Sequence, residues 1–262
     1  MKNFKTLDLI KWGWEDFKKN IWIASISFGI FTYLFYRLSD ITLGGIVEIN
    51  ELTGEVNYNT NLLKMGSVLI YYILTTYVYA GFYREIIRTT GNNQKFCVKN
   101  VFVWPENFKH LLNYFGLLFL LAFSVFIVIG GSMLLQKYNL VVSGLIFILI
   151  GVLFILIFYY YTFFCPYIIL ENRAGIIGSI KKSVSMVKGH MGLITRFWFW
   201  LLLFVILFYF GLIIVNYFLT FVPIFGLIIF HIIWAGFTIF IVYSIVHLYR
   251  KLDPEVATQK VE

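Results

Sequence analysis

Charge is what this sequence has least of. Asp, Glu, Lys and Arg make up only 13% of its 262 residues, against 60% hydrophobic. With a mean hydropathy of +0.84, the chain has too few polar side chains to cover a water-soluble surface, which excludes the soluble globular and disordered classes. Cysteine is nearly absent: Cys97 and Cys165 stand alone, in no CxxC or metal-ligand spacing, so neither a disulfide framework nor a zinc site is expected. Catalytic signatures are missing too. There is no HExxH, no GxSxG, no P-loop, no EF-hand loop and no pair of carboxylates inside an apolar run, so an enzyme is not expected, and no catalytic, cofactor-binding or metal-ligating residue is assigned.

What is present is long uncharged stretches. A hydrocarbon core of about 30 Å needs about 17 to 25 apolar residues per helical crossing. Six stretches qualify: Ile21 to Tyr36, Met65 to Tyr83, Leu111 to Leu135, Leu140 to Phe164, Phe197 to Val222 and Ile224 to Leu248. The last two form one uncharged run that divides at Val222-Pro223, because proline lacks a backbone donor and clashes with the preceding turn. The fold class predicted is all-α, a polytopic membrane protein of six transmembrane helices forming a single integral membrane domain over residues 1–262. Between the first two spans, "GIVEINELTGEVNYN" alternates apolar and polar residues around Thr53-Gly54, the pattern of a small β-hairpin.

Positive charge sets the orientation, since cytoplasmic loops retain Lys and Arg during insertion. Of the 21 Lys and Arg residues, all but Arg37, Lys64 and Lys137 fall on one side of the predicted spans. Both termini are therefore expected to be cytoplasmic, in a multi-pass protein of the cell membrane. The net charge of +8 belongs to the inner face, with membrane lipids as its partners and no nucleic acid. Polar and amphipathic residues fill the first twenty positions, so no cleavable signal peptide is expected.

An amphipathic segment precedes each pair of spans. Ile177, Ile180, Val184, Val187 and Met191 recur at steps of three and four and mark one helical stripe. Shifting by 170 residues gives Leu7, Ile10, Trp14, Phe17 and Ile21; a further 91 gives Val98, Val101, Pro105, Phe108 and Leu112. "WEDFKK" (14–19) lies over "PENFKH" (105–110), and Pro105 suggests a helix start in the middle copy. The chain reads as three repeat units, approximately 7–90, 97–170 and 174–250, each led by an amphipathic interfacial helix, followed by a C-terminal cytoplasmic tail, 251–262.

The lysines of these segments are candidate lipid-headgroup contacts: Lys11, Lys18, Lys19, Lys99, Lys109, Lys181, Lys182 and Lys188. Each near-surface cation is worth about 1 kcal/mol toward an anionic leaflet, and interface anchoring accounts for the same placement. Asn216 and His231 are the candidate intramembrane polar residues. With no acidic residue inside a span, hydrogen bonding between helices suits them better than a proton pathway.

One stretch carries a resemblance. Cys165-Pro166-Tyr167, then Glu171, then Ser179, Lys181, Ser183, Lys188, Gly189 and His190 resemble the pattern of a bacterial and archaeal six-span family. That family is typified by the membrane domain of some glycerophosphodiester phosphodiesterases and by free-standing relatives. The family pattern usually has Trp at the position of Val184 and Asn at that of His190. The resemblance implies fold and location, not the phosphodiesterase reaction, for which this chain has no room. The function expected is non-enzymatic engagement of anionic lipid, or of a lipid-like or peptide ligand, at the cytoplasmic leaflet. Its setting would be transport, envelope maintenance or immunity to a membrane-active agent. The alternative is a membrane subunit or scaffold that docks a membrane or cytoplasmic partner, such as an exporter ATPase or a lipid enzyme.

Overall fold

The computed structural model of the chain describes residues 6–43, 47–49, 56–58, 62–90, 94–102, 108–137, 141–171, 174–219 and 223–253. Apolar runs of this kind become helices because a backbone in hydrocarbon must satisfy its own hydrogen bonds. The long helices are α1 (Thr6–Leu43), α2 (Leu62–Thr89), α4 (Phe108–Lys137), α5 (Val141–Thr162), α8 (Met191–Leu219) and α9 (Pro223–Leu252). The short ones are α3 (Val98–Val101), α6 (Cys165–Leu170) and α7 (Ile176–Gly189). Among the described residues, four stretches are long and apolar enough to cross a membrane: Leu111–Leu135, Val142–Leu170, Met191–Val215 and Phe225–Leu252. The shortest has 25 residues, about 37 Å of helix at 1.5 Å per residue. A fifth arises if α1 counts as one span, because its arms Thr6–Asn20 and Trp22–Ser39 meet at 84°. Helix α2 falls outside this set: Tyr71, Tyr72, Thr75, Thr76, Tyr77, Tyr79 and Tyr83 dilute its apolar character.

The expected hairpin forms. Strand β1 (Val47–Ile49) pairs antiparallel with β2 (Val56–Tyr58), with Val47 opposite Tyr58 and Ile49 opposite Val56. The middle amphipathic segment differs from expectation. Among the described residues it is helical only over Val98–Val101 before α4 begins at Phe108, and Pro105 lies outside them. The fourth span also runs further than expected, because the turn at Phe163-Phe164 leads directly into α6.

Two compact units make up the chain. The first comprises Met1–Val103 with Arg196–Leu248, the second Trp104–Thr195 with Tyr249–Glu262. In the first, Phe82 is fully buried between Phe28 at 4.6 Å and the stacked Phe96 at 5.7 Å between ring centroids. Helices approach here at glycines. A Cβ on Gly13 would lie 2.8 Å from Ser244 Cα, and one on Gly81 would strike the Val101 carbonyl. In the second unit α4 and α5 form a tight hairpin, where a Cβ on Gly131 would meet the Phe147 ring at 2.6 Å. Phe164, Ile168, Ile169 and Tyr249 are the buried centre of that unit.

Candidate functional site: the basic elbows

The first arm of α1 and helix α7 are the two amphipathic elbows the structure describes in full. Their buried faces do not coincide with the predicted stripes. In α1 the buried residues are Leu9, Ile10, Gly13, Asp16, Phe17 and Asn20, whereas Leu7 and Trp14 are nearly half exposed. In α7 they are Ser179, Ser183, Met186 and Val187, whereas Ile177 is 73% exposed. The periodicity was right but the face is rotated by about one residue. Small and polar side chains occupy the buried side, where helices touch closely, and some large apolar ones point outward. A protein surrounded by lipid can turn apolar residues outward without the penalty water imposes.

Four pairs of positions 170 residues apart are buried in both helices. Leu9 and Ser179, Gly13 and Ser183, Asp16 and Met186, and Phe17 and Val187 are all buried. At the third-elbow counterpart of Gly13, Ser183 Oγ donates to the Tyr161 carbonyl at 2.7 Å and accepts from the Phe164 amide at 3.2 Å. The outward faces correspond as well: Leu7, Lys11, Trp14 and Lys18 in one, Ile177, Lys181, Val184 and Lys188 in the other. Apart from the half-buried Val184, all are exposed. Each is a stripe in which apolar residues alternate with lysines one turn apart.

The eight candidate lysines therefore differ in situation. Lys11, Lys18, Lys99, Lys181 and Lys188 are exposed. Lys19 Nζ pairs with Asp16 Oδ1 at 3.2 Å, and Lys182 Nζ with the fully buried Asp253 Oδ2 at 3.1 Å. These two are spoken for by carboxylates of the chain itself. The side chain of Lys109 lies outside the described residues.

Two polar clusters that sequence reasoning missed hold the elbows in place. In the first unit, Asp16 also faces His247 of α9, with Nε2 at 3.0 Å from Oδ2, and Trp12 packs its ring on the same imidazole. Next to it, Asn20 Oδ1 accepts the Phe96 amide at 2.8 Å, and the Thr89 and Tyr243 hydroxyls lie 2.9 Å apart. Glu85, 2% exposed, binds the Arg88 guanidinium through both oxygens. It also accepts the Cys97 amide at 2.9 Å and the Asn100 side-chain amide at 3.3 Å. The Arg88–Glu85 hydrogen bond, above all, raises the Arg88 pKa beyond the ordinary arginine value. In the second unit, the Tyr249 hydroxyl donates to Glu171 Oε2 at 2.9 Å, with Arg250 at 4.0 Å from the other oxygen. The one sequence signal for these groups was the 9, 13, 16, 20 spacing, which puts Asp16 and Asn20 on a face with Leu9. Nothing in the sequence pairs that face with residue 247.

His231 Nδ1 donates to the Leu227 carbonyl one turn back at 2.8 Å, and its ring lies between Tyr33 and Tyr36, with centroids 5.6 and 5.4 Å away. It packs α9 on α1. Asn216 belongs to α8, but its side chain lies outside the described residues. Among the described residues no group of three or more His, Cys, Asp or Glu is placed to hold a metal ion. The chain matches no family model, no curated protein and no solved structure.

Proposed function

We propose that this chain is a non-enzymatic membrane protein whose basic elbows engage anionic lipid at the cytoplasmic leaflet of the cell membrane. The observation that carries this is the pair of outward stripes, Leu7-Lys11-Trp14-Lys18 and Ile177-Lys181-Val184-Lys188, exposed at all but Val184. Such a face inserts its apolar side chains at the headgroup boundary while the lysine stems reach past them to phosphate. The four exposed cations have no carboxylate partner among the described residues, unlike Lys19 and Lys182.

The same reading takes the chain as three units of elbow and two spans, six spans in all, with both termini cytoplasmic. Helix α2, though tyrosine-rich, then serves as the second span. The matching buried faces of the first and third elbows support it. So does a shared mode of packing, each elbow against a helix of another repeat unit: the first elbow lies on α9 through Gly13 and Asp16, residues 98–102 lie on α2 through Gly81 and Tyr77, and the third lies on α5 and α6 through Ser183. In each case the support is the second long helix of a predicted pair. The Ser179 to His190 pattern makes the glycerophosphodiesterase-associated membrane family the relationship that best fits this organisation.

The test is lipid composition. Replacing Lys11, Lys18, Lys181 and Lys188 by Gln should lower the ratio of anionic to zwitterionic phospholipid co-purified in mild detergent several-fold, with expression and insertion intact. An unchanged ratio overturns the lipid reading. Stoichiometric recovery of a specific protein partner alongside an unchanged ratio would instead favour a docking scaffold.

A further inference from the structure

Where the first elbow has Trp14, the third has Val184, and beside Val184 lies a cleft of about 450 Å³. It sits entirely within the second unit, between the cytoplasmic end of α5 and helix α7. Its walls are Phe154, Ile157, Phe158, Ile180 and Val184, and Lys188 stands at its rim. The volume falls in the range of about 300 to 1,000 Å³ typical of small-ligand sites. Phe154 and Ile157 are 62% and 52% exposed and belong to the membrane-crossing stretch Val142–Leu170, so the cleft opens where hydrocarbon reaches the protein. Lys188 is exposed, one turn beyond Val184 on the outward stripe, and no carboxylate pairs with it among the described residues.

An apolar trough that ends at an unneutralised ammonium complements a molecule with a hydrocarbon chain and a negative charge at its head. The geometry points to a retained anionic glycerophospholipid of the cytoplasmic leaflet, one acyl chain lying along Phe154, Ile157 and Ile180 and its phosphate at Lys188. This rests on the lipid reading above and deepens it: a headgroup attraction spread over four lysines becomes, at the third elbow, one defined site. The valine makes room for it, since an indole at position 184 would project into the volume the chain occupies. Tyr161 and Thr162 complete the lining, the Thr162 hydroxyl committed to the Phe158 carbonyl at 2.8 Å, and Lys188 is the one cation among the lining residues. The first elbow borders a cleft of its own, about 360 Å³ beside Trp14, Phe17 and Phe240, but no charged residue lines it; the ammonium at its edge is what makes the cleft of the third elbow selective.

The full-length chain in nanodiscs containing a phosphatidylglycerol with a photoactivatable acyl chain tests this. Cross-links should map to peptides 154–162 and 176–189. Val184→Phe, which fills the trough with an apolar ring, should reduce those cross-links at least fivefold. Lys188→Gln should leave an acyl cross-link to a phosphatidylcholine probe intact while removing the preference for phosphatidylglycerol. Equal labelling in the Val184→Phe protein, or an anionic preference unaltered by Lys188→Gln, overturns the site. The failures are distinguishable. Loss of the site with a co-purified anionic excess that still falls when Lys11, Lys18 and Lys181 become Gln leaves the general reading standing. Absence of any anionic excess in the parent protein removes both. Lys188→Gln changes one exposed side chain, so a folding defect in Val184→Phe does not shield the proposal.

Discussion

His247 and Asp16 face each other at 3.0 Å between Nε2 and Oδ2, with 231 residues of sequence between them. The pair joins the end of α9 to the first elbow, and neither side chain is more than 14% exposed. It is a polar contact that holds an amphipathic helical arm against a long apolar helix.

Removing His247 takes one hydrogen bond from an Asp16 that Lys19 also binds. His247→Leu is expected to destabilise the protein by about 0.5 to 1.5 kcal/mol, the net worth of one hydrogen bond. Asp16→Leu in the same background should add less than it does alone. Thermal unfolding of the single and double variants in one detergent measures the coupling, and additive losses would show that the pair does not act as a unit.

Glu85 gathers Arg88, the Cys97 amide and the Asn100 amide around one buried carboxylate. Glu85→Ala leaves the Cys97 and Asn100 amides without this acceptor, while Arg88, 40% exposed, keeps Gln94 and the Lys95 carbonyl, at an expected cost of about 1 to 3 kcal/mol. Amide hydrogen exchange should rise first at Cys97 and Asn100. Exchange that rises uniformly along the chain instead would show that Glu85 does not specifically order this segment.

Gly13 lies against the backbone of Ser244, whereas Gly66 faces open space. Gly13→Val forces the elbow off α9 and should cost about 1 to 3 kcal/mol as overpacking. Gly66→Ala, inside α2, should stabilise by about 0.5 to 1 kcal/mol because glycine is a poor helix former. Melting temperatures of the two variants should move in opposite directions.

Asp253 has no exposed side-chain surface and is held by Lys182. Lys182→Met removes the ammonium that faces this carboxylate and should destabilise the second unit by about 1.5 to 3 kcal/mol, the worth of a hydrogen bond to a charged group. The double change Lys182→Met with Asp253→Leu should be milder than Lys182→Met alone. Limited proteolysis after residue 250 reads the effect, and a double variant as sensitive as the single would contradict the pairing.

Cys97 is exposed and Cys165 buried. A membrane-impermeant maleimide should label Cys97 alone, in inverted vesicles and not in right-side-out ones. Labelling from the opposite side would reverse the orientation read from the lysines and arginines.

Much of this was legible in the sequence. Uncharged runs marked the long helices, the alternation around Thr53 marked the hairpin, and the stripe at Ile177 to Met191 marked α7. The direction of that stripe was not. Leu7 and Ile177 are apolar and exposed, while Asp16, Ser179 and Ser183 are polar and buried. Hydrophobic patterning assumes water outside, and it misassigns faces when the outside is lipid and the inside holds hydrogen-bonded contacts.

The same difference divides what each level decided. Helix and hydrocarbon length follow from local composition, because a backbone in lipid must satisfy itself residue by residue, so the sequence alone determined a helical membrane protein with basic amphipathic segments. Which lysines are left for a ligand depends on partners far away along the chain. Lys182 is neutralised by the fully buried Asp253, whereas its sequence neighbour Lys181, and Lys188 beyond it, remain exposed. Only tertiary packing could decide that, because a charge is withdrawn from solvent by the carboxylate that folding brings to it, not by its neighbours in sequence.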